Sequence, residues 1–210
     1  MRRRHIGWIA GAAAAVLVAA GAITYAVAED SGGSDMKTPG AESADAGFAR
    51  DMAVHHQQAV EMSYIVRDRT KNEEVRRLAY DIAQTQANQR GMLLGWLDLW
   101  ELPKVSAKPP MAWMGMGDMP ERGDGSLMPG MATDTELKKL QSLDGKQAET
   151  LYLQLMTEHH KGGIHMAEGC VAKCTVGVEK RLAQGMVDAQ QSELQAMAQM
   201  LKERGAAPRS

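Results

Sequence analysis

Apolar positions recur at three- and four-residue steps along four long stretches of this chain, and none alternates with the two-residue period of a strand. The first stretch starts near Ala46, behind Ser43 or Asp45, either of which can cap a helix. It carries Phe48, Met52, His55, His56, Ala59 and Met62 on one stripe and ends around Arg69, Thr70 and Lys71. The second starts at Asn72, with Glu73 and Glu74 at the positive end of the helix dipole. It continues through Val75, Leu78, Ala79, Ile82, Met92 and Leu93 towards Trp96 and Trp100, and Pro103 stops it. Its polar middle, Gln84 to Gln89, suits partial solvation or support of polar groups on the first helix. The short connection predicts an antiparallel hairpin. Thr133 with Glu136 spells a capping box for a short helix through Leu143. Asp144 can cap a long helix to about Lys173, carrying Leu151, Tyr152, Leu155, Met156, His159, His160, Gly163, Met166, Cys170 and Cys174. Thr175 with Glu179 opens the last helix, which runs through Leu201 and ends at Gly205.

The pattern repeats. FARDMAVHHQQAVEM, residues 48–62, returns as YLQLMTEHHKGGIHM, residues 152–166, with an offset of 159 − 55 = 104 throughout. Glu74, Arg76, Ile82, Gln86 and Met92 then align with Glu179, Arg181, Val187, Gln191 and Met197 at 105. A duplicated helical hairpin predicts an all-α four-helix bundle over residues 43–205, long enough to bury a sizeable single core.

Residues 103–132 break the pattern. Gly and Pro recur without a sustained apolar period, and Met falls at 111, 114, 116, 119, 128 and 131. So long a loop points to function or disorder. At the other end, Met1-Arg2-Arg3-Arg4 precedes an apolar run from Ile6 to Ala28, and Ala26-Val27-Ala28 resembles an export cleavage site. Residues 1–28 read as a cleaved signal peptide or an uncleaved transmembrane anchor, and 29–42 as a flexible tether. Both place the bundle outside the cytoplasm, secreted or anchored to the membrane.

Composition narrows the chemistry. A formal net charge of −2 and 4% aromatic residues give no reason to expect nucleic acid as a partner. The anomalies are 16 Met and the placement of His, five of six lying in the duplicated segments. A fold needs apolar periodicity, but not paired His flanked by Met twice. Imidazole and thioether both bind copper, and thioether selects Cu(I). The candidate ligands are Met52, His55, His56 and Met62, with Met156, His159, His160 and Met166. Adjacent His diverge by about 100° on a helix, so one of each pair faces the bundle centre and the other serves the rim or orients a ligand.

The second copy adds His165, Cys170 and Cys174. His165 lies beside the stripe and reads equally as a ligand or a surface residue. Cys170 and Cys174 extend the stripe at four-residue steps: two thiolates make a soft site for Cu(I), or less favourably zinc. A disulfide and inert thiols remain the alternatives, because the exported side is oxidising. These extra donors place the tighter site towards the end of that helix. Met111, Met114, Met116 and Met119 form a spaced thioether motif that either captures Cu(I) or packs as a lid over the bundle end. There is no H-E-x-x-H motif, phosphate loop, hydrolase triad or Glu-x-x-His pair.

DMAVHHQQAVEM, MPGMATDTELKKLQSLDG and LMTEHHKGGIHMA resemble the family known as domain of unknown function 305, in order and over roughly residues 43–203. The resemblance implies a ferritin-like helical bundle, commonly exported, with several members associated with copper binding or tolerance. Its motif residues map onto the eight Met and His ligands named above; Cys170 and Cys174 are not part of its general pattern. Sequestration or transfer of Cu(I) is the leading expectation, with an envelope copper protein as partner or a homo-oligomer as assembly. A non-metal envelope interaction module and a copper- or thiol-dependent oxidoreductase are the alternatives.

Overall fold

Ser43 turns the chain into its first helix: its hydroxyl accepts from the Ala46 N–H at 3.1 Å, a cap that contributes about 1 kcal/mol. The computed structural model describes residues 38–118 and 123–209. The leader or anchor expected at 1–28, most of the tether and Met119 lie outside those residues. Helix α1 spans Ala44–Arg69 and α2 spans Glu73–Leu99, with Asn72 accepting from the Glu74 and Val75 amides. The Thr133–Glu136 capping box forms as its sequence predicts and opens α3, Asp134–Ser142. Helix α4 spans Gly145–Lys173 and α5 spans Gly177–Glu203. Gly205, at φ +67°, supplies the left-handed residue after α5.

Two caps differ from expectation. Asp144 precedes α4 but makes no side-chain capping bond. Thr175 does not cap α5, which starts two residues later. That role falls to Asp45 of α1, whose Oδ1 accepts from the Thr175 and Val176 amides at 2.8 Å each.

The described residues are all-helical apart from turns and loops. Helix α1 packs along α2, α4 packs along α5, and the two hairpins meet through α1 and α4, with α3 resting on both. The inter-hairpin contacts run antiparallel. Asp45 at the start of α1 meets the α4–α5 turn, and Glu149 near the start of α4 accepts from the Thr70 hydroxyl in the α1–α2 turn. The two hairpins are thus related by an approximate two-fold. Among the described residues, no helix is long and apolar enough to cross a membrane.

Burial corrects the register of the repeat. The buried residues of α2 are Val75, Ala79, Ile82, Ala83, Gln86, Leu93 and Leu97. Adding 104 gives Glu179, Ala183, Met186, Val187, Gln190, Met197 and Leu201, the buried set of α5. The offset of 105 fails: it pairs buried Met197 with Met92, which is 47% exposed. One offset therefore spans the whole duplicated unit.

The described parts of the 103–132 loop are tied to α1. Asp51 of α1 accepts from the Met111 amide at 2.7 Å and from the Trp113 indole N–H at 2.9 Å. Gln58 donates to the Ala132 carbonyl and accepts from its amide, at 2.9 and 2.7 Å. Its counterpart in the second half is Gly162, and there the loop lies directly on the helix backbone. A Cβ at Gly162 would sit 2.1 Å from the Pro129 carbonyl oxygen.

Candidate metal centre

The four paired histidines lie on α1 and α4 where the two helices cross near their middles, and all are at most 1% exposed. His55 and His159 meet at the approximate two-fold, ring centroids 3.7 Å apart and planes tilted by 31°. His56 and His160 turn away from that pair, each towards the other helix of its own hairpin. His56 Nε2 lies 2.9 Å from Gln89 Oε1, and His160 Nε2 lies 2.7 Å from Glu193 Oε2. Gln89 and Glu193 are themselves 104 residues apart, so the supporting contact is duplicated with the histidine. His55 and His159 thus face each other at the centre, while His56 and His160 are not at the rim but fully buried within their own hairpins.

These contacts orient the rings. An amide or carboxylate oxygen accepts, so Nε2 of His56 and of His160 carries the proton and Nδ1 holds the lone pair. His159 Nε2 lies 3.0 Å from the His55 carbonyl oxygen, which fixes it the same way. The freed Nδ1 atoms of His56, His159 and His160 are buried without a hydrogen-bond partner, and both ring nitrogens of His55 are buried without a well-formed one, although the Pro129 carbonyl approaches that ring. Each such orphan costs about 1–3 kcal/mol in a chain that folds only to bind nothing there.

Burial also holds the imidazoles of His55, His56 and His159 neutral. It lowers His55 and His159 well below the ordinary histidine value, and nearby imidazoles add to the effect. It takes His56 down to about 3, against a smaller opposing contribution from the Gln89 contact. Neutral imidazole is the form that coordinates metal.

Thioethers flank the pair on both sides. Met52 and Met166 belong to one apolar cluster, Met62 and Met156 to the other, and all four are at most 1% exposed. Each side of the His55–His159 contact thus holds one Met from α1 and one from α4. The four thioethers and the histidines are all shielded from water. The histidines alone do not converge. Among the described residues, the trio of His, Cys or acidic ligand atoms gathered within 4.8 Å is Cys170, Cys174 and Glu179.

The remaining sequence candidates sit elsewhere. His165 is exposed on α4. Cys170 and Cys174 are joined in a disulfide at the end of α4, one of the alternatives open from sequence, and in that form they carry no thiolates. Met111 is fully buried and Met128 nearly so, while Met114 and Met116 pack half-buried against the same cluster. Their arrangement is that of a lid. The Cβ a residue would need at Gly169 runs into the Met114 methyl at 2.6 Å.

Several site residues were not singled out from the sequence. Gln89 and Glu193 were legible, because one is the image of the other at the offset of the His pairs. Asp51 gave no signal, since its role depends on a loop contact 60 residues away. Glu179 was read as a helix-start residue, yet it is fully buried with both carboxylate oxygens unpartnered. Burial, and then the neighbouring Asp45 carboxylate, push it up to about 9.

Comparison with known proteins follows the same lines. The family model for domain of unknown function 305 (DUF305) matches residues 45–201. A DUF305 structure from Streptomyces coelicolor, provisionally described as a secreted protein, superposes with a TM-score of 0.76 at 73% identity. It covers 81% of this chain and 99% of its own. A DUF305 fragment from Deinococcus radiodurans gives 0.62 at 28% identity, covering 76% and 96%. CopM in its Cu(I)-bound form gives 0.58 at 19% identity, covering 76% of this chain and 96% of its own, and at that identity the likeness carries the fold alone. No curated protein matches the chain.

Proposed function

The chain belongs to the DUF305 family, and on that footing we propose that it is an exported copper-binding protein that sequesters Cu(I) or hands it on. The observation that carries the reading is the set of five buried, unpartnered imidazole nitrogens at the junction of the hairpins. Four buried thioethers flank them. A core histidine kept for packing ordinarily satisfies its polar atoms. Here the second nitrogen of three rings is fixed by an oxygen acceptor while the first is left bare, which is how metal-binding histidines are oriented.

Soft thioethers with neutral imidazoles favour Cu(I) over harder divalent ions. His55 and His159 are the central ligands, with Met52, Met62, Met156 and Met166 as thioether donors on either side. His56 and His160 lie beside them, each with a buried, unpartnered Nδ1. Met111, Met114 and Met116 form the cover through which the ion passes. The N-terminal apolar run supports export, as does the description of the Streptomyces relative as secreted.

The test is anaerobic competition of the full chain with a chromophoric Cu(I) chelator. Wild-type protein is expected to withdraw copper from the chelator. The His55→Ala/His159→Ala double variant is expected to lose affinity by roughly 10- to 100-fold or more while its helical circular dichroism is kept. Failure of the wild-type chain to compete refutes the proposal.

A further inference from the structure

The internal duplication supplies its own control, and the two halves differ most pointedly at one place. Val66, Thr70 and Val75 of the first hairpin correspond to Cys170, Cys174 and Glu179 of the second. All six are buried. Two apolar residues and a hydroxyl have become three metal-ligating side chains. Their ligand atoms converge within 4.8 Å, at the turn joining α4 to α5. The first hairpin shows that this turn closes without any of them.

Packing does not account for Glu179. A carboxylate replaces a buried valine, is fully buried, and leaves both oxygens without a hydrogen-bond donor. Its close polar neighbour is the Asp45 carboxylate, which caps Thr175 and Val176 and brings Glu179 a second acidic group, not a cation. With two sulfurs beside it, this buried acid completes a set of three ligand atoms for a cation.

We propose that Cys170, Cys174 and Glu179 form a second, redox-gated metal site for a thiophilic divalent cation of the zinc class. The mixed donor set decides the class. Zinc accepts Cys sulfur and Glu oxygen together, whereas Cu(I) has little use for a carboxylate. The disulfide form is the closed state. A dithiol reductant opens it by thiol–disulfide exchange: the Cys170–Cys174 bond breaks, two electrons and two protons arrive, and the reductant leaves as its own disulfide. Each thiol, and the Glu179 carboxyl, then releases its proton as it binds the ion. Reoxidation by a disulfide donor reverses the exchange and expels the metal. This site uses none of the His and Met ligands of the central site, although Cys170 and Cys174 pack in the same cluster as Met52 and Met166, and it does not depend on their binding copper.

The full chain, prepared anaerobically in disulfide form and in dithiol-reduced form freed of reductant, is titrated with Co(II) as an optical stand-in for Zn(II). The reduced chain is expected to develop thiolate-to-cobalt charge-transfer absorption saturating at one equivalent and lost on adding Zn(II). The disulfide form is expected to show none, which controls for thiol dependence without any substitution. Glu179→Gln is expected to weaken Co(II) binding by roughly tenfold or more, and His55→Ala/His159→Ala to leave it unchanged. Absence of the band in the reduced chain overturns the proposal. Unaltered affinity in Glu179→Gln, with its helix content intact, overturns it equally, since the site then lacks its third ligand.

Discussion

Acid should loosen the metal-free protein through His56, and the size of the effect follows from its burial. His56 is fully buried, with Nε2 on Gln89 and Nδ1 facing no partner, and its folded-state value is about 3 against an ordinary 6.5. A lowered folded-state value means that the native state resists protonation while the unfolded chain accepts it. The stabilisation is therefore complete above about pH 6.5 and is lost as pH falls towards about 3. Each unit in that window costs about 1.4 kcal/mol, so His56 alone should remove about 2 kcal/mol by about pH 5. That is a large share of a typical 5–15 kcal/mol for a whole domain. His55 and His159 shift in the same direction and steepen the slope. The assay is urea unfolding, followed by far-ultraviolet circular dichroism, of chelator-treated wild type and His56→Asn at about pH 7.5 and about pH 5. Asn keeps an amide near Nδ1 but does not titrate. The variant should lose about 2 kcal/mol less than wild type across the interval. Equal losses in the two proteins refute the reasoning, because acid sensitivity would then come from groups elsewhere.

Three further outcomes follow. Glu149 and Arg204 form a buried ion pair at 2.8 Å, their side chains 8% and 7% exposed, so Glu149→Gln should cost about 3 kcal/mol or more by leaving the guanidinium unpaired; an unchanged urea midpoint counts against this. Gly162→Ala puts a Cβ against the Pro129 carbonyl, so it should cost about 1–3 kcal/mol and speed hydrogen exchange in residues 128–132, read by mass spectrometry. Glu193→Gln copies the first half, where Gln89 accepts from His56. It should shift stability by no more than about 1–2 kcal/mol, and a loss as large as that of Glu193→Ala shows that the charge, not the acceptor, matters.

The helices and most of their ends were readable because the cues are local. Ser43, Asn72, the Thr133–Glu136 box and Gly205 act within a few residues of themselves. The start of α5 was misplaced because its cap comes from Asp45, 130 residues earlier in the chain. The repeat was legible in α1 and α4, where buried Met and His keep their identity. In α2 and α5 the offset of 105 followed shared letters such as Met92 and Met197, one exposed and the other buried. The buried set keeps 104 but changes chemistry, as when Val75 becomes Glu179, and letter matching misses it. The Met-rich loop carried no apolar period because it packs as an irregular cover: thioethers fill uneven gaps without any repeat in spacing. Its burial depends on Asp51 and Gln58, polar residues of α1 whose partners no local pattern announces.

The approximate two-fold bears on how binding and folding are linked. His55 and His159 come from different hairpins and meet only when α1 and α4 are packed. Met52 shares its cluster with Met166, and Met62 shares its cluster with Met156, so neither hairpin alone assembles either set of donors. Within one hairpin the supporting contact, His56 to Gln89 or His160 to Glu193, is already complete. Each hairpin therefore orients one imidazole by itself and contributes a second to a centre that exists only in the assembled bundle. A cation bound there acts on the weakest seam, the junction of the hairpins, and not on the hairpins themselves. Copper at 100 times its dissociation constant should then add about 2.7 kcal/mol to global stability. Amides at the α1–α4 contact should gain protection, while those on the outer faces of α2 and α5 should gain only through global unfolding. Protection confined to one hairpin would mean that the ion binds within that hairpin, and the shared centre would be wrong.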